Sequence, residues 1–202
     1  NIQGIGDKHI PLIHNVTNTD VAVAVSDHAT DQLHVLFNDP AGLALLRARG
    51  VGDDVIAALP HLGLSSICNI VAAIKTAKTL GLGGRDAIVT VATDGAALYP
   101  SEYTKITARD FGNGFTNLDA AQVWGEHLSN VTTAHTMELT ERDRNRIFNL
   151  GYYTWVEQRG VTLEHFTERA DQKFWKGLHA VMPHWNAMIE EFNARTGALE
   201  HL

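Results

Sequence analysis

Three short segments carry the residue types with which this chain could do chemistry. Gly4-Ile5-Gly6 is a tight glycine turn that lets the backbone approach a ligand closely. Leu64-Ser-Ser66 stands before an alanine-rich stretch, where hydroxyl and free N–H groups either bind an anion or cap a helix. Thr93-Asp94-Gly95 follows an apolar run, and a hydroxyl placed there can hydrogen-bond a ring nitrogen. Taken singly, each segment is equally compatible with an ordinary loop, cap or turn.

Thiol and metal chemistry have weaker support in the sequence. No histidine or asparagine partner for the single cysteine, Cys68, is evident from the sequence, so we interpret it as a small packed residue. The paired histidines of the chain are five or six positions apart, and neither an HExxH nor a CxxC motif occurs. We therefore expect no metal site.

Composition excludes some classes of protein. The formal net charge of −7 argues against a general nucleic-acid binder, which carries a basic patch or stripe. No apolar run approaches the roughly 20 residues that span a bilayer, which argues against a membrane protein. A lone cysteine among 202 residues fits a reducing compartment, so the expected location is the cytoplasm.

The elements that must position these segments change in character near residue 100. Residues 21–25 and 87–92 are β-branched apolar runs that predict two buried strands, with helical patterns between them. A strand, helices and a strand in this order predict a parallel α/β sheet, and ligands gather at the carboxyl ends of its strands. Thr93 stands at such an end.

The second half of the chain shows few strand signals. Thr140-Glu-Arg-Asp143 predicts a capping box, and Thr162 predicts another helix start after Gly160. Aromatic residues recur at helical spacing, and we expect a kink at Pro183. The pattern predicts an all-helical extension whose apolar stripes cover another domain or form a dimer contact.

The three segments in this order resemble a known family. Gln3-Gly-Ile-Gly6 with Ile10-Pro11, Gly63-Leu-Ser-Ser66, and Thr93-Asp94-Gly95 with Tyr99 are similar to motifs of the cysteine synthase and cystathionine β-synthase family. These are pyridoxal-phosphate enzymes of fold type II. The resemblance covers residues 1–103, which it assigns to the C-terminal part of a parallel-sheet, three-layer domain, and leaves residues 104–202 as the helical extension.

The resemblance implies a cofactor, a reaction and a set of contacts. The cofactor would be pyridoxal 5'-phosphate, with Thr93 meeting its ring nitrogen and Gly4 and Gly6 beside it. Ile5 and Asp7 would contact the substrate, a small amino acid that undergoes β-elimination or β-replacement as in lyases and transferases of amino-acid metabolism. A homodimer is expected, as is common among such relatives.

The sequence also departs from the family pattern. The Schiff-base lysine and the glycine-rich phosphate loop precede the GIG segment in the family, and no counterpart is found here. The lysines at positions 8, 75, 78, 105, 173 and 176 lie in no matching context, so no catalytic residue is assigned. We expect the chain to be inactive alone and to need an N-terminal portion, whether a separate chain or one removed by truncation. Ile67-Cys68 also replaces the small Gly-Ala pair of the commoner motif.

Two alternatives remain open. One is a non-catalytic interaction module made of an α/β layer and a helical docking tail. The other is a different nucleotide- or phosphate-binding α/β protein. The second alternative has less support, since no GxGxxG follows a predicted strand and no P-loop lysine motif occurs.

Overall fold

The computed structural model describes residues 9–112 and 114–201, with the side chains of 200 and 201 left out, and it is 66% helical. Ten α-helices are described: α1 Asp27–Asn38, α2 Pro40–Ala48, α3 Asp53–Ala58, α4 Leu64–Leu80, α5 Pro100–Asp110, α6 Asn117–Trp124, α7 Glu141–Tyr152, α8 Leu163–Glu168, α9 Gln172–His179 and α10 Met182–Thr196. Two π-helical turns, Gly125–Ser129 and Tyr153–Gln158, continue α6 and α7. The described residues also form two strands, β1 Val21–Val23 and β2 Thr136–Glu138, and four short 3-10 helices, Val16–Asn18, Leu59–His61, Ala96–Leu98 and Ala198–His201.

The predicted fold class is wrong. Strands β1 and β2 form a two-stranded antiparallel sheet in which Val21 is opposite Glu138 and Val23 is opposite Thr136. No parallel sheet and no three-layer arrangement occur among the described residues. The strand predicted at residues 21–25 does form over Val21–Val23, but its partner comes from a distant and less hydrophobic segment.

The second predicted strand, residues 87–92, is not a strand. All six residues are exposed, and Val89 is 92% exposed. Their backbone makes no backbone hydrogen bond with any described residue. A β-branched run favours an extended chain, but a strand is stable only when a neighbouring strand accepts its hydrogen bonds. Residues 87–92 have no such neighbour among the described residues, which explains the failure of the prediction.

Helix boundaries follow the local signals more closely. The Ser26 hydroxyl accepts from Ala29 N at the start of α1, and the Asp39 carboxylate accepts from Ala41 N at the start of α2, with Pro40 as its first residue. Asp39 therefore ends α1 and caps α2, and the chain turns between the two helices at Asp39-Pro40. Helix α4 ends at Gly81, whose left-handed φ of 63° is typical of a glycine C-cap.

The described residues form two units, and the first comprises Val21–Glu138. Its core lies between α1, α2, α4 and α6, with Leu33, Leu36, Ile67, Val71 and Val123 almost completely buried. The helical pattern predicted for α1 places its apolar residues in this core.

The second unit combines His9–Asp20 with residues 139–201. Val16, Phe148 and Phe166 form its buried cluster. The predicted capping box of α7 is confirmed, because Thr140 Oγ1 accepts from Asp143 N while the Asp143 carboxylate accepts from Thr140 N. The division into residues 1–103 and 104–202 stays a prediction, since it rests on the extent of the family resemblance.

Helix α10 leaves an apolar stripe exposed. Met182, Trp185, Ile189 and Phe192, spaced three or four residues apart, are 49–61% exposed. Pro183 is the second residue of this helix, where proline does not bend it, so the predicted kink is wrong. None of the described helices has the length and apolar character needed to cross a membrane.

Candidate functional site

The start of α4 meets the loop that carries Thr93-Asp94-Gly95. Gly63 N donates to Asp94 O at 2.8 Å, and Thr93 N donates to the Ser66 hydroxyl at 3.2 Å. One turn further along α4, Asn69 Nδ2 donates to Val91 O at 3.2 Å. Two of the three predicted segments therefore lie side by side, although Ser66 and Thr93 are 27 positions apart.

Two glycines permit this close approach. A Cβ on Gly63 would overlap Asp94 Oδ1 and come within 2.9 Å of Tyr99 Cε2. A Cβ on Gly95 would lie 2.9 Å from Pro60 O, closer than real Cβ atoms approach. Both positions are motif residues of the sequence analysis, and the structure supplies a steric reason for each.

A tyrosine–carboxylate pair closes the loop. The Tyr99 hydroxyl donates to Asp94 Oδ2 in a short hydrogen bond. The hydrogen bond to Asp94, followed by burial and the negative charge of Asp94, raises the pKa of Tyr99 to about 12. Because a neutral phenol is the better donor to a carboxylate, this pair holds the loop together across the neutral pH range.

A buried histidine lies behind the loop. The ring of His34 on α1 is 6.0 Å from the Tyr99 ring and 6.4 Å from the Tyr103 ring, edge-on to both. His34 is 1% exposed, and its Nδ1 has no hydrogen-bond partner among the described residues. Burial lowers the pKa of His34, with a smaller opposing effect from Asp31, so the ring stays neutral at pH 7.

A second tyrosine–carboxylate pair holds α5 against the start of α2. The Tyr103 hydroxyl donates to Asp39 Oδ2 at 2.7 Å. Burial, followed by this hydrogen bond, raises the pKa of Tyr103 to about 12. The same Asp39 carboxylate caps α2 through its other oxygen, so one side chain links α5 to α2.

Thr93 is the site residue best placed to meet a ligand. Its side chain is exposed, and its hydroxyl makes one long hydrogen bond, to Asp94 Oδ1 at 3.3 Å. The backbone bond to Ser66 fixes the residue while leaving that hydroxyl free to turn toward a ring nitrogen. The position of Thr93 is compatible with the contact that the resemblance predicts for its hydroxyl.

The other contacts of that cofactor cannot be traced in the same way. Gly4, Ile5, Gly6 and Asp7 lie outside the described residues. Lys75 is buried and donates to Ala24 O at 2.6 Å, and Lys78 donates to Val131 O at 2.5 Å. Both of these amines are engaged by backbone carbonyls, and neither bonds to a residue of the 93–95 loop.

Cys68 lies in the first two turns of α4 but is not arranged as a nucleophile. Its side chain is buried, and burial, followed by the charge of Asp27, raises the pKa of the thiol. The thiol is therefore protonated at neutral pH. Its placement agrees with the interpretation of Cys68 as a packed core residue.

A polar network beside α1 gave no motif in the sequence. The buried His127 Nε2 contacts Gln32 Oε1 at 2.9 Å, and Gln32 Nε2 donates to Asp110 Oδ2 at 3.5 Å. Burial lowers the pKa of His127. Arg109 pairs with Asp110 and with Asp31 at 2.9 Å or less, which gives the network its own counter-charge. Its members come from α1, α5 and the π-turn after α6, so only the tertiary fold brings them together.

Metal binding has no support in the described part of the chain. No group of three or more His, Cys, Asp or Glu side chains among residues 9–112 and 114–201 is arranged to hold an ion.

Comparisons with protein-family models, with curated proteins and with solved structures give no match to this chain. The case for a function therefore rests on the residues around Thr93.

Proposed function

We propose that this chain is the C-terminal portion of a pyridoxal-phosphate-dependent enzyme that catalyses β-elimination or β-replacement on a small amino acid. The observation that supports the proposal is the meeting of Gly63-Leu-Ser-Ser66 with Thr93-Asp94-Gly95. Hydrogen bonds join these two segments at both ends, and neither Gly63 nor Gly95 has room for a side chain. Two segments that resemble family motifs and are distant in the sequence thus lie beside each other.

The residues of the proposed site divide into one that contacts the cofactor and others that hold it in position. The Thr93 hydroxyl donates to the ring nitrogen of the cofactor, and Ser66 holds the Thr93 backbone in position. Asp94 and Tyr99 fix the loop. The cofactor, when bound, supplies the electron sink for the reaction, and a neutral hydroxyl partner tempers that sink relative to a carboxylate. Gly4 and Gly6 would lie beside the cofactor, and Ile5 and Asp7 beside the amino-acid substrate.

The proposal requires a partner that carries the cofactor-binding lysine. We assign that role to an N-terminal portion of the enzyme and its docking surface to residues 87–92. These residues are exposed, apolar and without backbone hydrogen bonds to described residues, as is typical of a segment that an extended chain can join edge to edge. Thr93 follows this segment directly, so docking there would bring the lysine-bearing portion to the site.

Thr93 provides the test of the proposed site. With the chain expressed together with its N-terminal portion, we expect Thr93→Ala to weaken cofactor retention about tenfold, the equivalent of roughly one hydrogen bond. Thr93→Ser keeps a hydroxyl and should retain the cofactor like the wild type. Thr104→Ala removes another exposed threonine of the same unit, one that bonds to Pro100 O, and serves as the matched control. Dialysis followed by absorbance measures the cofactor that remains.

Equal retention in all four proteins would remove Thr93 from the site. A preparation that takes up no pyridoxal phosphate, even with the N-terminal portion present, would contradict the proposed function as a whole.

A non-catalytic interaction module is the second candidate function. The exposed stripe of α10 favours it, because four large apolar side chains at helical spacing are typical of a helix that docks on a partner. A second copy of this chain is the partner that we expect, since one two-fold axis would pair identical stripes. A protein that dimerises through α10 but never binds the cofactor would favour this candidate.

A further inference from the structure

An open cleft of about 640 Å³ lies within the unit of residues 9–20 and 139–201, apart from the Thr93 site. Its walls are largely apolar, with Leu12, Phe174, Trp175 and Leu178 among the residues that line it. The volume falls in the range of pockets that hold small organic ligands.

One charged side chain in this cleft is buried. Arg169 is 5% exposed, and its guanidinium carbon lies 5.5, 5.3 and 6.0 Å from the ring centres of Phe148, Phe166 and Trp175. Nη2 donates to His14 O at a long 3.5 Å. Nε and Nη1 are buried and have no partner among the described residues. Buried guanidinium N–H groups are almost always paired, so these two are unusual.

No described carboxylate lies close enough to neutralise the charge of Arg169. No ion pair joins it to any described carboxylate, although Glu168 lines the same cleft. Burial alone lowers the pKa of the guanidinium, but arginine remains charged in proteins. The three aromatic rings offset part of the free-energy cost of removing the guanidinium from water. They do not accept hydrogen bonds from its free N–H groups as strongly as an oxygen does.

We propose that this cleft binds a small apolar monocarboxylate. The carboxylate would pair with the Arg169 guanidinium, whose positive charge no described carboxylate neutralises, and the apolar body would pack against Leu12, Phe174 and Leu178. Arginine suits a carboxylate because its donors are fixed in a plane that matches the two oxygens. The negative charge of Glu168 at the same cleft disfavours a dianion such as a phosphate ester, and the apolar walls disfavour a strongly hydrated anion.

A pair of matched probes tests this site on the whole chain. Isothermal titration calorimetry with hydrocinnamate and with its neutral amide, hydrocinnamide, compares one apolar body with and without the charge. We expect the carboxylate to bind at least about tenfold more tightly than the amide. Arg169→Met should abolish this preference, and Arg195→Met should keep it, since Arg195 is 77% exposed on α10.

If circular dichroism shows that Arg169→Met does not fold, Arg169→Lys takes its place, because it keeps a positive charge. A lysine has no planar fork, so the preference for the carboxylate should fall without vanishing. Equal affinities of the wild type for hydrocinnamate and hydrocinnamide, or a preference that survives in Arg169→Met, would overturn the proposal.

Discussion

At the scale of single residues, the structure gives a steric reason for the glycine at motif position 63. Its hydrogen atom faces Asp94 Oδ1 and the Tyr99 ring, and its N–H donates to Asp94 O at 2.8 Å. A methyl group would separate α4 from the loop that holds Thr93. The glycine is therefore required by the contact between two segments, and its own φ of −80° is open to any residue.

Gly63→Ala should destabilise the protein by about 1–3 kcal/mol, because the added methyl group overpacks the contact with Asp94 and Tyr99. Urea unfolding followed by circular dichroism measures the change. Gly83→Ala is the matched control, since a Cβ there meets nothing within 4 Å, and it should be neutral or slightly stabilising. Equal effects of the two substitutions would show that the contact at Gly63 is looser than described.

His34 predicts a pH dependence of stability. Burial lowers its pKa below 6.5 in the folded protein, so the unfolded chain binds a proton more readily. The stabilisation is therefore present above pH 6.5 and is lost as the pH falls through the lowered pKa. We expect the free energy of unfolding to decline over this acidic range and the decline to be shallower in His34→Gln. An identical pH slope in that variant would assign the decline to other groups.

Residues that form a motif can be selected from the sequence as candidates for a site. The motifs include Ser66 and Thr93, and in the fold Thr93 N donates to the Ser66 hydroxyl. His34 and Arg169 gave no signal, because a lone histidine or arginine in a helical pattern is usually solvated. Their burial depends on rings supplied by distant parts of the chain, such as Tyr99 for His34 and Phe148 for Arg169.

At the scale of elements, helix ends were predictable and sheet pairing was not. Thr140, Asp39 and Gly81 act through atoms within four residues, so a local pattern is sufficient to identify the boundaries they set. A strand depends on a partner that can lie anywhere in the sequence. Residues 21–23 pair with residues 136–138, which show no strong β pattern, whereas residues 87–92 show the pattern and pair with no described strand.

Val89 tests the assignment of residues 87–92 as a docking segment. Because Val89 is 92% exposed, Val89→Lys should change the free energy of unfolding of the chain by no more than about 0.5 kcal/mol. The same change should weaken association with the N-terminal portion, measured by analytical ultracentrifugation. Val55→Lys, at a 49% exposed valine of α3, should leave both quantities unchanged. Unaltered association in Val89→Lys would exclude this segment as the docking surface.

At the scale of the whole molecule, distant segments combine in a way that local patterns do not reveal. Residues 9–20 pack with the C-terminal helices, where Trp155 Nε1 donates to Ile10 O at 2.9 Å and Asn15 Nδ2 donates to Gln172 Oε1 at 2.9 Å. The change in composition near residue 100 predicts a boundary there, but it does not predict that residues 9–20 pack with the C-terminal helices. The exposed stripe of α10 and the exposed residues 87–92 are the surfaces where we expect partners.

The position of the cofactor-binding lysine tests the central claim most directly. The protein, purified together with its N-terminal portion and pyridoxal phosphate, is reduced with borohydride, digested and mapped by mass spectrometry. We predict that the reduced cofactor lies on a lysine of the N-terminal portion, with Lys75, Lys78 and the other lysines of this chain unmodified. A stoichiometric adduct on one of this chain's own lysines, or no adduct on either portion, would contradict the account.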